Sequence, residues 1–500
     1  MTNCWARMRK LVSSRAALAA DKQAETEFTY PSLLLMEEAG IRLQDRLEGL
    51  FEEGVLAEGP VVYLAGPGNN GGDALVMARQ AFLRGRRKVT VVSVLPPHSE
   101  SCVWQTQVAQ KVGIPLGTWP DANAKHALEA AAVWVDGIFG AGLTGKLRAE
   151  REELLRQLES LRQELNKPVV AVDVPSGLWE GWSAQAVVTA RLTLSPGWPK
   201  DFCFYPGARA AAGTIVAVPL AFPREAESSA DLIEEADLPE LLPQVSRWDH
   251  KGKRGHVALL GGAHGMTGAL ILASRSAAAA GAGLVSLGVD SELLGLIAPQ
   301  VPAFQVRTPE DLISRAARYD AWVAGPGWGR GEDRVALLSR LWSTDLPLVL
   351  DADGLWAWSV LRPARRRAPV VMTPHPGEFL RLGEFTAATV AEAESLAQAQ
   401  GVVVVLKGAA TWIVGSGRRA VWDGPNAALG TGGSGDCLAG VVGALLARGL
   451  SAFEAAVAAV ALHGAAGREL ATRSGWFTAD ELPAALARTS AACALRLGQL

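Results

Sequence analysis

Residues 66–73 read Gly66-Pro67-Gly68-Asn69-Asn70-Gly71-Gly72-Asp73 and stand between a short apolar run, residues 61–65, and an amphipathic stretch, residues 74–83. A buried strand, a glycine loop and a helix in this order are typical of α/β proteins. Glycines leave backbone N–H groups free to point at one anion, and the start of the following helix favours negative charge. The stretch therefore predicts a parallel sheet with a phosphate-binding loop at one edge.

A second glycine loop, with different lettering, lies near the other end of the chain. It reads Gly430-Thr431-Gly432-Gly433-Ser434-Gly435-Asp436 and precedes a helical pattern over residues 437–446. In both loops an aspartate follows the glycines, where it could serve as acceptor, base or metal ligand beside a bound anion. For Asp436 the alternative is a simple N-cap, which the preceding glycines disfavour. Two loops of different design predict two active sites in one polypeptide.

The rest of the chain alternates strand and helix patterns in both halves. Runs rich in β-branched residues predict strands at residues 61–65, 89–95, 133–136, 169–173, 257–261, 321–324, 348–351, 370–372 and 402–406. Amphipathic patterns predict helices at residues 74–83, 104–112, 148–165, 269–280 and 437–446. The acidic, proline-containing residues 223–244 are typical of an interdomain connection with a short helix inside it. We therefore expect an α/β protein of two domains, residues 1–224 and 225–500, with parallel sheets covered by helices.

Composition argues against several classes of partner. The chain has 500 residues and a net charge of −3, which gives no electrostatic reason to bind nucleic acid or an anionic membrane. Its five cysteines are scattered without a CxxC pair, which favours a reducing compartment over a disulfide framework or a zinc site. Cys437, beside the second loop, is expected to be a buried thiol. No segment has the roughly 20 uninterrupted apolar residues of a membrane helix, so we predict a cytoplasmic protein.

Three aspartates, Asp73, Asp136 and Asp173, fall at the ends of predicted parallel strands in the first half. Carboxyl ends of parallel strands share one edge of the sheet, so a single crevice could contain all three. The carbonyl of Asn70, the carboxylate of Asp136 and the hydroxyl or carbonyl of Ser176 offer oxygens suited to an alkali cation, or less well to Mg²⁺. The alternative is that strand-end Asp and Gly residues only form caps and turns, which three in register disfavour.

The first loop also satisfies the dinucleotide pattern GxGxxG. The next predicted strand, residues 89–95, offers no acid to hold a ribose. Redox use of a nicotinamide coenzyme is therefore disfavoured.

The segments GNNGGD (68–73), DGIFGAG (136–142) and DVPSG (173–177) resemble, in this order and spacing, the YjeF N-terminal domain, the NAD(P)H-hydrate epimerase. The similarity spans residues 8–220 and implies a Rossmann-like three-layer α/β domain. It implies a K⁺ site at Asn70, Asp136 and Ser176, and Asp173 as the acid–base residue of epimerisation. The residues implied to hold the hydrated nicotinamide nucleotide are Asn69, Asn70, Gly71, Gly72, Asp73, Gly140, Ala141, Gly142, Leu143, Thr144, Gly145, Lys146 and Asp173.

Two departures from the family pattern concern the first domain. Ala74 stands where the family usually has a glycine, and residues 178–182 lack the usual acidic and Thr-Gly continuation. An alternative is therefore a domain that binds its ligand but epimerises poorly.

In the second half, glycine-rich or charged stretches follow the predicted strands. They are Gly325-Pro326-Gly327-Trp328-Gly329, Asp351-Ala352-Asp353, Thr373-Pro374-His375-Pro376-Gly377-Glu378 and Lys407-Gly408-Ala409. The amides of the second loop can form an anion hole for a phosphoryl group in transfer, and Asp436 can deprotonate the accepting hydroxyl. His375 alone would more often be a core or capping residue, but its place in a Pro-flanked turn beyond a strand favours ligand contact.

These stretches, with Thr267-Gly268-Ala269, resemble the ribokinase-like ADP-dependent NAD(P)H-hydrate dehydratase from about residue 231 to the C-terminus. The resemblance implies contacts to the hydrated nucleotide from Ala269, Gly329, His375 and Asp436. It implies an adenine-nucleotide site formed by Lys407, Gly408, Ala409, Ala410, Thr411 and Gly435. Mg²⁺ is also implied, and Glu378 is a candidate to serve it.

Together the two resemblances imply a bifunctional repair enzyme for hydrated NAD(P)H. One domain would interconvert the R and S epimers, and the other would use ADP to dehydrate the S epimer with release of AMP and phosphate. A homo-oligomer is expected from the same resemblance. The alternatives are an ATP-dependent ribokinase-like kinase for a vitamin precursor with an accessory ligand-binding N-terminal domain, and a non-enzymatic N-terminal binding module.

Overall fold

The computed structural model describes residues 8–221 and 225–496. They form two compact units, one of residues 10–230 and one of residues 231–496 together with Met8 and Arg9. The predicted domain boundary between residues 224 and 225 adjoins residues 222–224, which lie outside the described part of the chain.

Strands and helices are numbered in chain order through both units. The strands are β1 (Arg9–Leu11), β2 (Val61–Ala65), β3 (Val89–Ser93), β4 (Leu116–Thr118), β5 (Val133–Gly137), β6 (Val169–Val172), β7 (Leu192–Pro196), β8 (Thr214–Val218), β9 (Ala230–Ile233), β10 (His256–Leu260), β11 (Leu284–Gly288), β12 (Gln305–Arg307), β13 (Ala321–Ala324), β14 (Leu348–Leu350), β15 (Val370–Met372), β16 (Val403–Leu406), β17 (Ala410–Gly415) and β18 (Arg418–Asp423). The helices are α1 (Ser14–Glu27), α2 (Ser32–Glu52), α3 (Asn69–Arg84), α4 (Glu100–Val112), α5 (Ala122–Ala130), α6 (Ala149–Glu164), α7 (Ala208–Ala212), α8 (Leu238–Leu241), α9 (Thr267–Ala279), α10 (Leu294–Ile297), α11 (Pro309–Ser314), α12 (Glu332–Trp342), α13 (Ala352–Leu361), α14 (Pro376–Phe379), α15 (Val390–Gln400), α16 (Ser434–Ala447), α17 (Ala452–Ser474) and α18 (Leu482–Arg496).

The sheet of the first unit is parallel throughout, with the strand order β4-β3-β2-β5-β6-β7-β8. Every residue of β2 is buried, as expected for a strand covered on both faces. The chain extends the sheet in one direction through β3 and in the other through β5. Ligands of such sheets bind beyond the carboxyl ends of the strands at this switch point, and the Rossmann-like prediction is confirmed.

The helix after β2 begins earlier than the sequence pattern predicts. α3 starts at Asn69, so residues 69–73 form its first turn and Asp73 lies inside the helix. The reason is close packing, since a Cβ at Gly71 would stand 2.1 Å from the carbonyl oxygen of Gly66. Gly71 has no left-handed φ, so this glycine serves the approach of two backbones.

The sheet of the second unit is mostly parallel. Strands β12, β11, β10, β13, β14, β15 and β16 lie side by side in parallel, and the antiparallel pair β17–β18 extends the sheet. Helices α16 and α17 bury most of their residues in the core. The predicted two-domain α/β class is confirmed. No helix of the described residues is both long and apolar enough to cross a membrane.

Two local predictions for the second unit need correction. The expected connection, residues 223–244, contains the expected short helix α8 but also strand β9, which pairs with β18 because its apolar side chains Leu232 and Ile233 are buried. Helix α16 begins at Ser434 and its N-cap residue is Gly433. Asp436 therefore lies within the first turn, and the N-cap alternative for Asp436 is wrong.

Candidate active sites

The first site lies at the carboxyl ends of β2, β5 and β6, where Asp136 is fully buried in β5. Its carboxylate accepts hydrogen bonds from the Ser176 hydroxyl at 2.6 Å, the Ser176 N–H at 2.8 Å and the Ile138 N–H at 3.1 Å. Burial raises the pKa of Asp136 to about 6, although these hydrogen bonds oppose the rise. Two of the three predicted cation ligands, Asp136 and Ser176, are thus in direct contact.

The third predicted ligand, Asn70, carries a buried side-chain amide. Neither its oxygen nor its nitrogen has a hydrogen-bond partner among the described residues. A Cβ at Gly140 would stand 3.2 Å from Asn70 Cγ and 2.9 Å from Asp173 Oδ2, so the glycine turn after β5 makes room for both side chains. An unpaired buried polar group costs about 1–3 kcal/mol. Amide, carboxylate and hydroxyl oxygens of low total charge fit a monovalent cation, which would give the Asn70 oxygen a partner.

Asp173 follows β6 in a left-handed backbone conformation with φ 69°. Its Oδ2 accepts a hydrogen bond from the Ala141 N–H at 2.7 Å, and its Oδ1 forms an ion pair with Lys200 Nζ at 2.6 Å. Ala141 belongs to the predicted binding segment 140–146, so the carboxylate is tied to that segment. The sequence analysis missed Lys200, whose only signal is its place shortly after strand β7.

Further carboxyl groups surround this pair. Burial raises the pKa of Asp73 well above its ordinary value, and the charges of Asp173 and Asp21 add to the effect. Although Asp21 in α1 keeps contact with solvent, the protein around its carboxyl raises its pKa to about 6, against the opposing charge of Lys200. The protonated form of Asp73 is therefore favoured by its surroundings next to the lysine-paired Asp173.

The remaining predicted positions of the first site lie at the mouth of the cleft. In the segment 140–146, Ala141 is buried, whereas Gly142, Thr144 and Lys146 are exposed. Ala74, which departs from the family pattern, packs against Gly137. A Cβ at Gly137 would stand 2.4 Å from the Ala74 methyl group, so the glycine leaves room for it.

The second site lies where the neighbouring strands β13, β14, β15 and β16 end. Lys407 follows β16, and its Nζ pairs with Asp351 Oδ1 at 3.0 Å and approaches Glu378 Oε2 at 3.7 Å. The Thr373 hydroxyl donates a hydrogen bond to the same Asp351 oxygen at 2.8 Å. Burial lowers the pKa of Lys407, but the carboxylates of Asp351 and Glu378 outweigh it and the pKa is raised. Lys407 is therefore a permanent cation at the edge of the sheet.

Asp436 faces this cation from the first turn of α16. Burial raises the pKa of Asp436 to about 7, and the charge of Asp351 adds to the rise while Lys407 opposes it. The adjacent Gly435 is needed for the approach of Lys407, because a Cβ at Gly435 would stand 3.2 Å from Lys407 Nζ. An anion beside Gly435 would meet both the amides of the helix start and the ammonium group.

The predicted substrate contacts Gly329 and Ala269 belong to two adjoining segments. A Cβ at Gly327 would lie 2.9 Å from the Ala269 Cβ, so the glycine turn after β13 packs on the start of α9. The Gly329 N–H donates to Asp353 Oδ2 at 2.9 Å. These contacts place Gly329 and Ala269 on the same side of the sheet edge as Asp351.

His375 is exposed and caps helix α14. Its Nδ1 accepts hydrogen bonds from the N–H groups of Gly377 and Glu378 at 3.0 and 3.3 Å. An accepting Nδ1 places the ring proton on Nε2. The capping role predicted as the alternative is therefore filled by Nδ1. The other ring nitrogen, Nε2, lies at the surface, 3.6 Å from Glu378 Oε1.

The predicted adenine-nucleotide segment 407–411 forms a tight turn into β17. The Thr411 hydroxyl donates to the Gly408 carbonyl at 3.1 Å, and its oxygen accepts from the Gly408 N–H at 3.3 Å. Gly408 and Ala409 are exposed, which leaves this turn accessible to a ligand.

The described residues contain no group of three or more His, Cys, Asp or Glu side chains arranged to hold a metal ion. Glu378, the candidate to serve Mg²⁺, lies at this edge of the sheet with its Oε2 3.7 Å from Lys407 Nζ. Cys437 is buried and its pKa is raised to about 12 by burial, so it is a thiol without nucleophilic character.

A second residue that the sequence analysis missed is His463 in α17. Its Nε2 donates to the Ser434 carbonyl at the start of α16, at 3.0 Å. Burial lowers the pKa of His463 to about 4, so the ring is neutral. Its hydrogen bond to Ser434 fixes the backbone of the glycine loop. Nothing in the Ala-rich sequence around it signals this contact.

Two sites of this kind, each with acidic side chains at the carboxyl ends of parallel strands, define a two-centre α/β enzyme. A family model described as YjeF-related protein N-terminus matches residues 32–202, and one described as NAD(P)H-hydrate dehydratase matches residues 257–488.

Relatives extend over nearly the whole chain. A bifunctional NAD(P)H-hydrate repair enzyme of Moorella thermoacetica is 33% identical, with 93% of each chain covered. The corresponding enzyme of Escherichia coli is 32% identical, with 82% of this chain and 81% of the relative covered. A ribokinase-like superfamily protein of Enterococcus faecalis has a TM-score of 0.50 and 26% identity, covering 53% of this chain and 96% of its own. The chain belongs to the family of bifunctional NAD(P)H-hydrate repair enzymes.

Proposed function

We propose that this enzyme interconverts the R and S epimers of hydrated NADH and NADPH in its first unit. Its second unit then dehydrates the S epimer with ADP, yielding NAD(P)H, AMP and phosphate. The observation that carries the proposal is the Asp436 carboxyl, with a pKa of about 7, in the glycine-rich helix start that faces Lys407. A group of that pKa can accept a proton near neutral pH.

In the second unit the hydroxyl oxygen of the hydrated ring attacks the terminal phosphorus of ADP. Asp436 takes the hydroxyl proton as the new O–P bond forms, and the bond to AMP breaks. Lys407 and the amides beside Gly435 offset the negative charge of the phosphoryl group in transfer. The C–O bond to phosphate then breaks and a proton leaves the neighbouring ring carbon, which restores the double bond. Mg²⁺ bound with the nucleotide would supply further charge neutralisation next to Glu378.

In the first unit Asp173 takes the proton of the ring hydroxyl while the bond between the hydroxyl-bearing carbon and the ring nitrogen breaks, which leaves a carbonyl group. The nitrogen then closes on the opposite face of that carbonyl and Asp173 returns the proton, so the carbon is inverted. Support comes from its fixed carboxylate, which the Ala141 N–H and Lys200 hold on either side. Asn70, Asp136 and Ser176 would hold K⁺, which supplies a positive charge close to the glycine turn at Gly140. The segments 69–73 and 140–146 offer backbone N–H groups to the nucleotide phosphates.

The test is turnover of separated epimers. With ADP, the S epimer should regain dihydropyridine absorbance and release equal amounts of AMP and phosphate, and the R epimer should follow after a lag set by epimerisation. A vitamin-precursor kinase would instead need ATP and would leave the hydrated ring unchanged. A binding module in the first unit would leave R-epimer conversion at its uncatalysed rate.

A further inference from the structure

We propose that Lys200 is the positioning residue of the first active centre, holding the Asp173 carboxylate ionised and oriented for proton exchange with the ring hydroxyl. This inference rests on the proposed epimerase function.

The contact between the two side chains is close and shielded. Lys200 Nζ lies 2.6 Å from Asp173 Oδ1, and Lys200 is only 5% exposed. The second carboxylate oxygen is fixed by the Ala141 N–H at 2.7 Å. With both oxygens held, the carboxylate cannot rotate away from the substrate segment, which is the geometry that proton transfer needs.

The backbone holds Lys200 on both sides. The Val12 N–H donates to the Pro199 carbonyl at 3.1 Å, and the Asp201 N–H donates to the Val12 carbonyl at 3.0 Å. This bridge fixes the lysine where the chain leaves β7 and enters a short turn. An ammonium group on a flexible stem is thereby given one position, which lowers the entropy cost of the ion pair.

The charges around the pair explain why a cation is needed there. The charges that act on the neighbouring Asp21 and Asp73 carboxyls come from Asp21 and Glu25 in α1, Asp173 after β6 and Lys200 after β7. Without Lys200, Asp173 would face Asp73 and Asp21 with no buried cation at contact distance among the described residues. Like charges favour the protonated form of a carboxyl, so loss of Lys200 would favour protonation of Asp173.

Removal of one partner of a buried ion pair is strongly destabilising while the other charge stays unpaired, so Lys200→Met is expected to lower the melting temperature of the first unit. A structural role alone predicts only that loss of stability. The positioning role predicts in addition that the pH dependence of epimerisation changes in the molecules that remain folded. Lys200→Arg keeps the charge and should restore the wild-type pH dependence.

The experiment measures interconversion of purified epimers without ADP, by chromatography, between pH 5 and 9. Lys200→Met, Lys200→Arg and the control Lys167→Met are compared with the wild-type chain. Lys167 lies before the amino end of β6, whereas Asp173 follows its carboxyl end. Lys167→Met therefore removes one positive charge from the same unit at the other end of the strand. S-epimer dehydration with ADP by the same molecules reports that the protein is intact, and a thermal melt reports the first unit.

In a plot of the epimerisation rate against pH, the rate falls on the acid side. For Lys200→Met we expect this acid limb to lie about one to three pH units higher than in the wild-type chain, with KM for the substrate little changed. The limb should stay in place for Lys200→Arg and Lys167→Met. A uniform loss of rate without movement of the limb, or an unchanged rate, would overturn the inference. Absence of epimerisation by the wild-type chain would instead overturn the proposed function itself.

Discussion

The two units use a lysine and aspartates in opposite ways. In the first unit Lys200 pairs with the candidate catalytic Asp173 itself, at 2.6 Å. In the second unit Lys407 pairs with Asp351 at 3.0 Å, and no group of the described residues donates a hydrogen bond to the Asp436 carboxylate. Burial and the charge of Asp351 raise the pKa of Asp436 to about 7.

This difference separates the two carboxylates by their contacts. A carboxylate paired at contact distance is held in place by its cation, whereas a half-buried carboxylate beside another anion gains and loses its proton near neutrality. Both sites contain a lysine and several aspartates, so the properties of each candidate base depend on which aspartate the lysine contacts. Four predictions test the comparison.

Asp436→Asn should abolish most of the dehydration, by about 10³-fold in kcat, because the hydroxyl loses its proton acceptor. AMP release from ADP with the S epimer measures the effect. Epimerisation by the same variant is the internal control and should be unchanged. Retention of more than a tenth of the dehydration would remove Asp436 from the role of base.

Asp173→Asn should lower epimerisation by about 100-fold. Asparagine tolerates the left-handed backbone at this position, so the loss would reflect the carboxylate and not the fold. Conversion of R epimer by the ADP-dependent reaction would then become limited by the uncatalysed interconversion. The ADP-dependent dehydration of S epimer should be unaffected. An equal loss of rate for both epimers would contradict the assignment of epimerisation to the first unit and dehydration to the second.

Asp351→Asn should move the acid limb of dehydration to lower pH by roughly one unit. The wild-type rate should fall as the pH drops through about 7, where Asp436 takes up a proton. Removing the neighbouring anion lowers the pKa of Asp436 and frees Lys407 to lower it further, so the base survives at more acidic pH. Asp345→Asn, at the amino end of the same strand β14, is the control. A limb that moves upward would show that Asp351 acts through another group.

The smallest expected effect concerns the cation. The pKa of Asp136 is about 6 in the folded protein, above the ordinary value of 3.8, so its ionisation destabilises the fold as the pH rises from about 4 to 6. K⁺ should offset this cost and raise the melting temperature of the first unit by about 2 °C at pH 7, relative to a bulky organic cation at equal ionic strength.

The K⁺ effect should vanish near pH 5, where the proton occupies Asp136, and it should be absent in Asp136→Asn. The exposed Asp121, at the start of α5, provides the matched variant Asp121→Asn, which should keep it. If K⁺ changed the melting temperatures of Asp136→Asn and Asp121→Asn equally, Asp136 would not be a ligand of the cation.

Much of the architecture could be predicted because parallel strands buried on both faces are continuous apolar runs. β2, β13 and β15 have the predicted bounds. Strands β5, β6, β14 and β16 were also predicted, and Asp136, Asp173, Asp351 and Lys407 lie at or just after their carboxyl ends. Strands β4, β7 and β8 were not predicted, since short or mixed sequences acquire their strand form from neighbours in the sheet. The early start of α3 was missed because Gly71 looked like a loop residue, and only the approach of Gly66 shows otherwise.

The partners within the sites were less predictable than the sites themselves. The Lys200–Asp173 contact joins residues that follow different strands, and no periodicity links them. His463 supports Ser434 from another helix, in a sequence where an unremarkable core histidine would look the same. Sequence patterns therefore locate the edge of each sheet, but which charged groups touch depends on packing across it.

The backbone bridge from Val12 to the turn around Lys200 bears on how the protein can be trimmed. The family match begins at residue 32, which invites a shortened form starting at Ser32. Such a form would keep every residue of the recognised motifs and still lose the peptide that clamps Pro199 and Asp201, along with Asp21. The amino-terminal segment therefore belongs to the packing that holds the candidate site around Lys200, and a shortened protein should retain it.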